Sequence, residues 1–239
     1  MGIGRVVLAS QSPRRRDLLT MLGHRFEVVA ADIDESPLTG EAAADLVRRL
    51  AVAKALVVAA QQPLGTLVIG ADTTVVVAAG EPRRATTEVG EDDATTIGGD
   101  GRSTDDAKSG RVSDDGVSGR TATEEMLGKP RDVADARRML RLLSGRTHQV
   151  YTAVAVVVAQ TAPATCTGAT CTDVTFVDLD DDAIDWYVST GEPIDKAGAY
   201  GLQGAGGIFV SAVTGSVSGV LGLPLDVLVS LLARARSAP

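Results

Sequence analysis

Hydroxyl and guanidinium groups crowd the segment Ser10-Gln11-Ser12-Pro13-Arg14-Arg15, which follows a short apolar run near the start of the chain. Pro13 is typical of a first helical turn, where the N–H that proline lacks is not needed. Because a helix N-terminus offers unpaired N–H groups and a partial positive charge, this segment suits an anion such as phosphate. The alternative is that Ser12 is a plain N-cap followed by solvated arginines.

An isolated carboxylate stands in Gly70-Ala71-Asp72-Thr73, directly after the apolar run Leu67-Val68-Ile69. In open α/β sheets the ligand crevice lies beyond the carboxyl ends of strands. A carboxylate placed there can bind a divalent metal or take a proton from water. Glu35 also follows a predicted strand and could share a metal with Asp72. The alternatives are an Asp that stabilises a turn and a solvated acidic loop.

The chain contains 19 arginines but only four lysines. Three of those lysines, Lys54, Lys129 and Lys196, lie outside a strongly acidic segment that covers 81–126. Lysine offers a compact ammonium where arginine offers a planar fork. Three ammonium groups that converge would suit a triphosphate, although three positions are few and chance remains an alternative.

Closely spaced glycines mark the segment 195–204, whose sequence is Asp-Lys-Ala-Gly-Ala-Tyr-Gly-Leu-Gln-Gly. Its spacing matches neither a dinucleotide-binding fingerprint nor a Walker loop. Glycines permit close approach of the backbone to a flat ligand, and Gln203 could then pair with a base edge. His24 and His148 pair with no evident nucleophile, and we expect His148 to be structural.

Short apolar runs alternate with helical patterns along the chain, which predicts the α/β class. The predicted strands cover 6–9, 26–30, 66–69, 74–78, 147–159 and 171–178. The predicted helices cover 12–22, 41–60, 132–143, 181–189 and 225–236, with Asp132 as an N-cap.

Charge and composition exclude several classes of protein. The segment 81–126 holds 12 acidic and 6 basic residues and few apolar ones, so we expect a disordered surface insertion. The rest of the chain is nearly neutral, which argues against nucleic-acid binding. No apolar run is long enough for a membrane span or a signal peptide, so we expect a cytoplasmic protein. Cys166 and Cys171 are expected to be free thiols.

Taken together, these segments resemble the Maf family of nucleoside triphosphate pyrophosphatases. The matching stretches follow the expected order over nearly the whole chain outside the insertion. They are Leu8-Ala9-Ser10-Gln11-Ser12-Pro13-Arg14-Arg15, Gly70-Ala71-Asp72-Thr73, Gly128-Lys129-Pro130, Leu143-Ser144-Gly145-Arg146-Thr147-His148-Gln149-Val150-Tyr151-Thr152, the 195–204 segment and Gly222-Leu223-Pro224-Leu225.

The resemblance implies one domain over 1–239, with an elongated mixed sheet flanked by helices and a cleft between two lobes. It implies attack of water on the α-phosphate with release of pyrophosphate, a divalent cation (Mg²⁺ or Mn²⁺) as cofactor, and a possible homodimer. Asp72 matches the family's proton acceptor, and Glu35 with Asp72 matches the metal site. The remaining matches form a phosphate-binding set, which comprises Ser10, Ser12, Arg15, Lys54, Lys129 and Lys196.

Three positions that differ between branches of the family point to the substrate. Arg14, Thr73 and Gln203 resemble the branch that acts on dTTP and UTP, and such an activity would also remove non-standard pyrimidine nucleotides. A neutral amide at 203 suits a uracil or thymine edge. Two alternatives stay open at this point: a pyrophosphatase for a modified purine triphosphate, and a nucleotide-binding regulatory protein linked to cell division.

Overall fold

The computed structural model describes residues 5–23, 25–78 and 124–237. Within them the chain forms one mixed seven-stranded sheet with helices on both faces. The strands are β1 Val6–Leu8, β2 Glu27–Val28, β3 Leu67–Ala78, β4 Glu124–Leu127, β5 Thr147–Val158, β6 Ala164–Phe176 and β7 Val210–Thr214. The helices are α1 Pro13–Met21, α2 Ala43–Ala59, α3 Val133–Leu143, α4 Asp181–Ser189, α5 Val217–Val220 and α6 Leu225–Ser237. Three 3₁₀ helices follow α4, at Glu192–Asp195, Ala197–Ala199 and Ala205–Phe209.

The strand order is β2-β1-β3-β5-β6-β7, and β4 pairs with the same edge of β3 as β1. β1 runs parallel to β3 and pairs with its first residues, up to Leu8 opposite Ile69. β4 runs antiparallel and begins its pairing at Val75, opposite Leu127. Between these two pairings, 70–74 of β3 keep only β5 as a neighbour among the described strands. On this edge of β3 there is therefore a gap between β1 and β4. The gap forms the cleft between the two lobes of the protein.

Each face of the sheet is buried by a different set of helices. α2 packs on one face of β3 and β5 through Val47, Ala51, Ala55 and Val58. On the opposite face, α1 and α6 pack against a core that includes Leu8, Ile69, Val154 and Leu228. Because successive residues of a strand point to opposite faces, adjacent side chains of β3 enter different surroundings. Asp72 faces α2, whereas Thr73 faces α1 and α5.

The second lobe is built around α3, α4 and the far ends of β3 and β5. Its core contains Leu140, Ile184 and Tyr187, together with a cluster of aromatic rings that contact one another edge-on. His148 belongs to this cluster, with its ring centroid 5.0 Å from that of Phe176 and 5.4 Å from that of Tyr200. These edge-on contacts are the favoured geometry for aromatic pairs, and they stabilise the wall of the cleft on this side.

Most predicted elements are confirmed, and α4 has the predicted bounds. The Asp132 carboxylate caps α3 as predicted, because it accepts a hydrogen bond of 2.8 Å from Asp135 N–H. The division of 66–78 into two strands was wrong. β3 is continuous through Gly70-Ala71-Asp72-Thr73, since β5 pairs with every one of these residues.

Two other boundaries also differ from the predictions. β6 begins at Ala164 rather than at Cys171, because β5 pairs with this Gly- and Thr-rich stretch down to Val158 opposite Ala164. The predicted insertion 81–126 falls mostly outside the described residues, as does His24. Its last positions, from Glu124, belong to β4 and pair with β3.

In the part of the chain that the structure describes, no helix is both long and apolar enough to cross a membrane. Cys166 and Cys171 are free thiols, as predicted.

Candidate active site

A cavity of about 760 Å³ occupies the opening in the sheet edge, which is within the usual range for small-molecule sites. Ten of the eleven residues singled out in the sequence line it. They are Ser10, Ser12, Arg14, Arg15, Glu35, Lys54, Asp72, Thr73, Lys129 and Lys196. Gln203 is exposed, and its neighbours Gly201 and Leu202 line the cavity in its place.

The position of Lys54 over β3 depends on a close approach of α2 to the strand. A Cβ atom at Gly70 would overlap the carbonyl oxygen of Ala51 and lie 2.8 Å from the backbone nitrogen of Ala55. Only glycine leaves room for the helix backbone at this point. Since Lys54 lies between these two alanines, the same approach brings its ammonium to Asp72, two residues beyond Gly70.

Lys54 joins two carboxylates at the floor of the cavity. Its ammonium lies 2.7 Å from Asp72 Oδ1 and 2.8 Å from Glu35 Oε1. Asp72 and Lys54 are buried, whereas the Glu35 side chain is half exposed. Burial raises the pKa of Asp72 above its ordinary value, although the charges of Lys54 and Arg15 oppose this shift. A carboxylate with a raised pKa is a stronger base, so Asp72 is suited to accept a proton.

Arg15 is held in place by three groups that accept hydrogen bonds. Its guanidinium donates to the Gly222 carbonyl at 2.8 Å, to Ser10 Oγ at 3.2 Å and to Thr73 Oγ1 at 3.2 Å. Burial lowers the pKa of Arg15, and the nearby charges of Asp72 and Glu35 act against this. The guanidinium nevertheless remains charged at every physiological pH, because arginine side chains are not deprotonated in proteins. It is therefore a fixed positive charge beside Asp72.

The other cationic groups lie on the far wall of the cavity. Lys196 Nζ donates to Asp195 Oδ1 and to the Glu192 carbonyl, both at 2.7 Å. Arg14 Nη1 lies 3.9 Å from Asp195 Oδ2, and Lys129 is exposed. The three lysines that the sequence singled out thus line one cavity from three different elements.

The glycines after Lys196 pack around the Glu192 carboxylate. The sequence had predicted instead that they let the backbone approach a flat ligand. A Cβ at Gly204 would overlap the Glu192 carboxylate, and one at Gly206 would lie 2.5 Å from the Tyr187 hydroxyl. Glu192 accepts hydrogen bonds from Tyr187 OH and Ala205 N–H, each at 2.9 Å. The glycines therefore let the 201–206 segment fold tightly around Glu192.

Glu192 is a structural anchor that the sequence reasoning missed. Burial raises its pKa, but the hydrogen bonds from Ala205 and Tyr187 outweigh this and leave the pKa below its ordinary value. The Tyr187 hydroxyl also accepts a hydrogen bond of 3.1 Å from Gly201 N–H. The sequence signal that could have found Glu192 is its place four residues before Lys196, next to a glycine-rich run.

His148 is structural, as expected, and supports a residue of the cavity wall. It is buried, and its Nε2 lies 2.9 Å from the hydroxyl of Tyr200, which lines the cavity. Burial lowers the pKa of His148 to about 4, so the imidazole is neutral near pH 7.

The floor of the cavity contains two carboxylates, which are of the ligand type that a hard divalent cation takes. Mg²⁺ in such sites takes one or two carboxylates and completes its shell with water and phosphate oxygens. Asp72 and Glu35 supply two carboxylates, and the Lys54 ammonium contacts one oxygen of each. No group of three or more His, Cys, Asp or Glu side chains suited to a metal was found among the described residues.

A buried carboxylate at the floor of a cleft lined by cationic side chains defines an α/β protein built to hold an anionic ligand. The chain belongs to the Maf-like protein family, whose model matches residues 5–90 and 112–235. It is 45% identical to the dTTP/UTP pyrophosphatase of Anaeromyxobacter dehalogenans, over 97% of this chain and 94% of that protein. Proteins of the same description from Myxococcus xanthus and Vibrio cholerae are 44% and 38% identical, over 96% and 94% of this chain and 92% and 95% of theirs.

Proposed function

We propose that this chain hydrolyses dTTP and UTP to the nucleoside monophosphate and pyrophosphate. The observation that carries the proposal is the buried Asp72 carboxylate, held by Lys54 at the floor of a cavity that four further cationic side chains also line. The relatives named above support the choice of substrate, because they match over nearly their whole length and share the description dTTP/UTP pyrophosphatase.

In the proposed reaction, Asp72 accepts a proton from the water that attacks the α-phosphorus. The bond from this phosphorus to the oxygen that bridges it to the β-phosphorus breaks, and pyrophosphate leaves with that oxygen. Arg15 and Lys54 place positive charge beside Asp72, where negative charge develops on the phosphoryl oxygens. Lys129, Lys196 and Arg14 on the far wall are suited to bind the leaving pyrophosphate.

We also propose that the reaction uses Mg²⁺ or Mn²⁺, held by Asp72 and Glu35. Five cationic and four acidic side chains line the cavity, so the protein itself supplies little net positive charge there. A triphosphate carries more negative charge than this, which leaves a need for a further cation. When bound, such a cation would polarise the phosphoryl oxygens and neutralise part of their charge.

The test is pyrophosphate release from a panel of pyrimidine and purine nucleoside triphosphates, with Mg²⁺ or Mn²⁺. We expect turnover of dTTP and UTP that falls by about 10²-fold or more in Asp72→Asn, since a positioned general base contributes about that much. Asp182→Asn provides a matched control, because Asp182 is exposed on α4 away from the cavity. If only a purine triphosphate released pyrophosphate, the proposed reaction would stand and the proposed substrates, dTTP and UTP, would be wrong. No release from folded protein would overturn both.

A further inference from the structure

Glu35 lies in the described stretch 29–42, which connects β2 to α2 and forms neither helix nor strand. Its side chain is half exposed, yet its carboxylate lies 2.8 Å from the buried ammonium of Lys54. An exposed ion pair contributes little, because it barely offsets the entropy of ordering a long side chain. A second contact, on the backbone beside Glu35, is therefore needed to keep this carboxylate in the cavity.

Arg49, on α2, supplies that contact. Its Nη2 donates a hydrogen bond of 3.0 Å to the carbonyl of Ser36, the residue that follows Glu35. Its Nε and Nη2 also donate to the two carboxylate oxygens of Glu41, at 2.6 Å and 2.7 Å. A bidentate pair of this kind is strong and depends on the planar fork of arginine. The guanidinium therefore holds both ends of the 36–41 stretch against α2.

Glu41 extends this attachment into the stretch itself. Its Oε2 accepts a hydrogen bond of 3.0 Å from Leu38 N–H, and its own N–H donates to the Leu38 carbonyl at 3.0 Å. The hydrogen bonds from Arg49 and from Leu38 lower the pKa of Glu41 to about 2. Arg49 and Glu41 are therefore both charged near pH 7, and their pairing persists there.

Polar contacts join the described stretch 30–41 to α2 at two places. One is the pair of contacts from Arg49, and the other is Glu35 with Lys54. Arg49 precedes Lys54 by five residues on the same helix, which places the two attachments about 7.5 Å apart along its axis. Arg49 is not among the described residues that line the cavity, so its route to the substrate runs through Glu35.

We propose that Arg49 is a positioning residue that fixes the backbone at Ser36 and thereby keeps Glu35 at the floor of the cavity. This inference rests on the proposed function and names a residue on which the place of Glu35 in it depends. Without the guanidinium, the Ser36 carbonyl and the Glu41 carboxylate lose their partner on α2. The contact with Lys54 is then the remaining polar attachment of the described stretch 30–41, and it holds Glu35 only weakly.

A double-mutant cycle of Arg49→Met and Glu35→Gln tests whether Arg49 acts through Glu35. We expect each single variant to lower kcat/KM for dTTP by about 10-fold, the lower end of what partners of a metal-binding carboxylate contribute. Once Glu35 has lost its charge, adding Arg49→Met should change kcat/KM by less than about 2-fold. A loss in the double variant equal to the product of the two single losses would overturn the inference, because the residues would then act independently.

Two further variants separate this role from a long-range effect of the Arg49 charge on Asp72. Arg48→Met removes the neighbouring arginine, which is exposed and lies 3.8 Å from Asp45 of the same helix, and it should leave kcat/KM unchanged. Arg49→Lys keeps the positive charge, but a single ammonium cannot replace the fork, so it should lose nearly as much activity as Arg49→Met. Full activity in Arg49→Lys would mean that the charge alone matters, and would overturn the inference.

Hydrogen–deuterium exchange of the backbone amides tests the same contact without substrate or metal. The N–H groups of Ser36, Leu38 and Glu41 are hydrogen-bonded within the stretch. We expect them to exchange at least about 10-fold faster in Arg49→Met than in the wild type or in Arg48→Met, with exchange in β5 unchanged.

Unchanged exchange over 36–41 in Arg49→Met would overturn the inference whatever the activity. Equal acceleration in β5 would also overturn it, because the variant would then be unfolding as a whole. Absence of pyrophosphate release from every triphosphate would instead overturn the proposed function. In that case the exchange measurement alone decides whether Arg49 holds the backbone beside Glu35.

Discussion

Lys54 Nζ and Asp72 Oδ1 lie 2.7 Å apart, and this bond ties α2 to the middle of β3 at the floor of the cavity. Both side chains are buried, with 8% and 10% of their surface exposed. A buried carboxylate is costly unless it is paired, and loss of one partner leaves an uncompensated charge. The pair therefore sets both the ionisation of Asp72 and the position of α2.

Lys54→Met should shift the pH dependence of pyrophosphate release. Burial raises the pKa of Asp72 and the Lys54 charge opposes this, so removal of the charge should raise the pKa further. Because the reaction needs ionised Asp72, the acidic limb of the rate profile should move to higher pH. Lys129→Met removes an exposed ammonium from the same cavity and should raise KM without moving that limb. An acidic limb that stays in place in Lys54→Met would contradict this role for Lys54.

Gly70→Ala should reduce both stability and activity. The added methyl group would overlap the Ala51 carbonyl oxygen and press on Ala55, so α2 must move away from β3 and take Lys54 with it. Overpacking of this kind costs about 1–3 kcal/mol. Thermal unfolding and pyrophosphate release measure the two effects. Gly128→Ala is the control for stability, because nothing lies within 4 Å of a Cβ there, and an equal loss of stability in both variants would argue against the close approach.

The sequence predicted the elements of this fold better than their connections. Amphipathic and capped helices such as Asp181–Ser189 were found because their signals are local. The continuity of β3 through Asp72 could not be found, because it depends on pairing with β5, whose residues are about 80 positions away. The sheet opening has the same origin, since it arises from where β1 and β4 stop pairing with β3.

Residue type and sequence context were enough to identify residues that line the cavity. They did not show which other side chains these residues contact. Ser12, Lys54 and Asp72 drew attention by type and context, and the family resemblance placed them in one site. Glu192 was missed because glutamate is a common residue type, and its place beside the glycine-rich run gains meaning only when its contacts with Ala205 and Tyr187 are known. Gln203 shows the opposite case, because it was assigned by resemblance and is exposed beside the cavity. Its role in selecting the base stays a prediction.

Glu192→Gln should weaken substrate binding more than the chemical step. Each carboxylate oxygen of Glu192 accepts hydrogen bonds, and the amide nitrogen of glutamine would set its own N–H against the N–H of Ala205 or of Gly206. The 201–206 segment should loosen, and it carries Gly201 and Leu202 of the cavity wall. We expect KM for dTTP to rise by about 10-fold, which corresponds to about 1.4 kcal/mol, with a smaller change in kcat.

Tyr187→Phe is the companion variant, since it removes one of these hydrogen bonds and leaves the Glu192 carboxylate in place. It should raise KM in the same direction but less. A kcat that falls alone in Glu192→Gln, with KM unchanged, would contradict a role for Glu192 in holding the substrate wall.

His148 should make the protein less stable in mild acid. Burial lowers the pKa of His148 to about 4, whereas its ordinary value in an unfolded chain is 6.5. Below pH 6.5 His148 binds a proton in the unfolded chain, whereas in the native state it stays neutral until the pH falls to about 4. The free energy of unfolding therefore keeps this contribution above pH 6.5 and loses it as the pH falls through that window. The loss should reach about 2 kcal/mol at pH 5.

Urea denaturation of the wild type and of His148→Gln at pH 7.5 and pH 5 isolates this effect. Glutamine does not titrate in this range, and its amide can still form a hydrogen bond with Tyr200 OH. The variant should be less stable at pH 7.5, because it loses the ring contacts with Phe176 and Tyr200. Its further loss on going to pH 5 should be smaller than that of the wild type by about 2 kcal/mol. Equal losses in the two proteins would mean that His148 takes up its proton in the native state, so that the imidazole is not held neutral by burial.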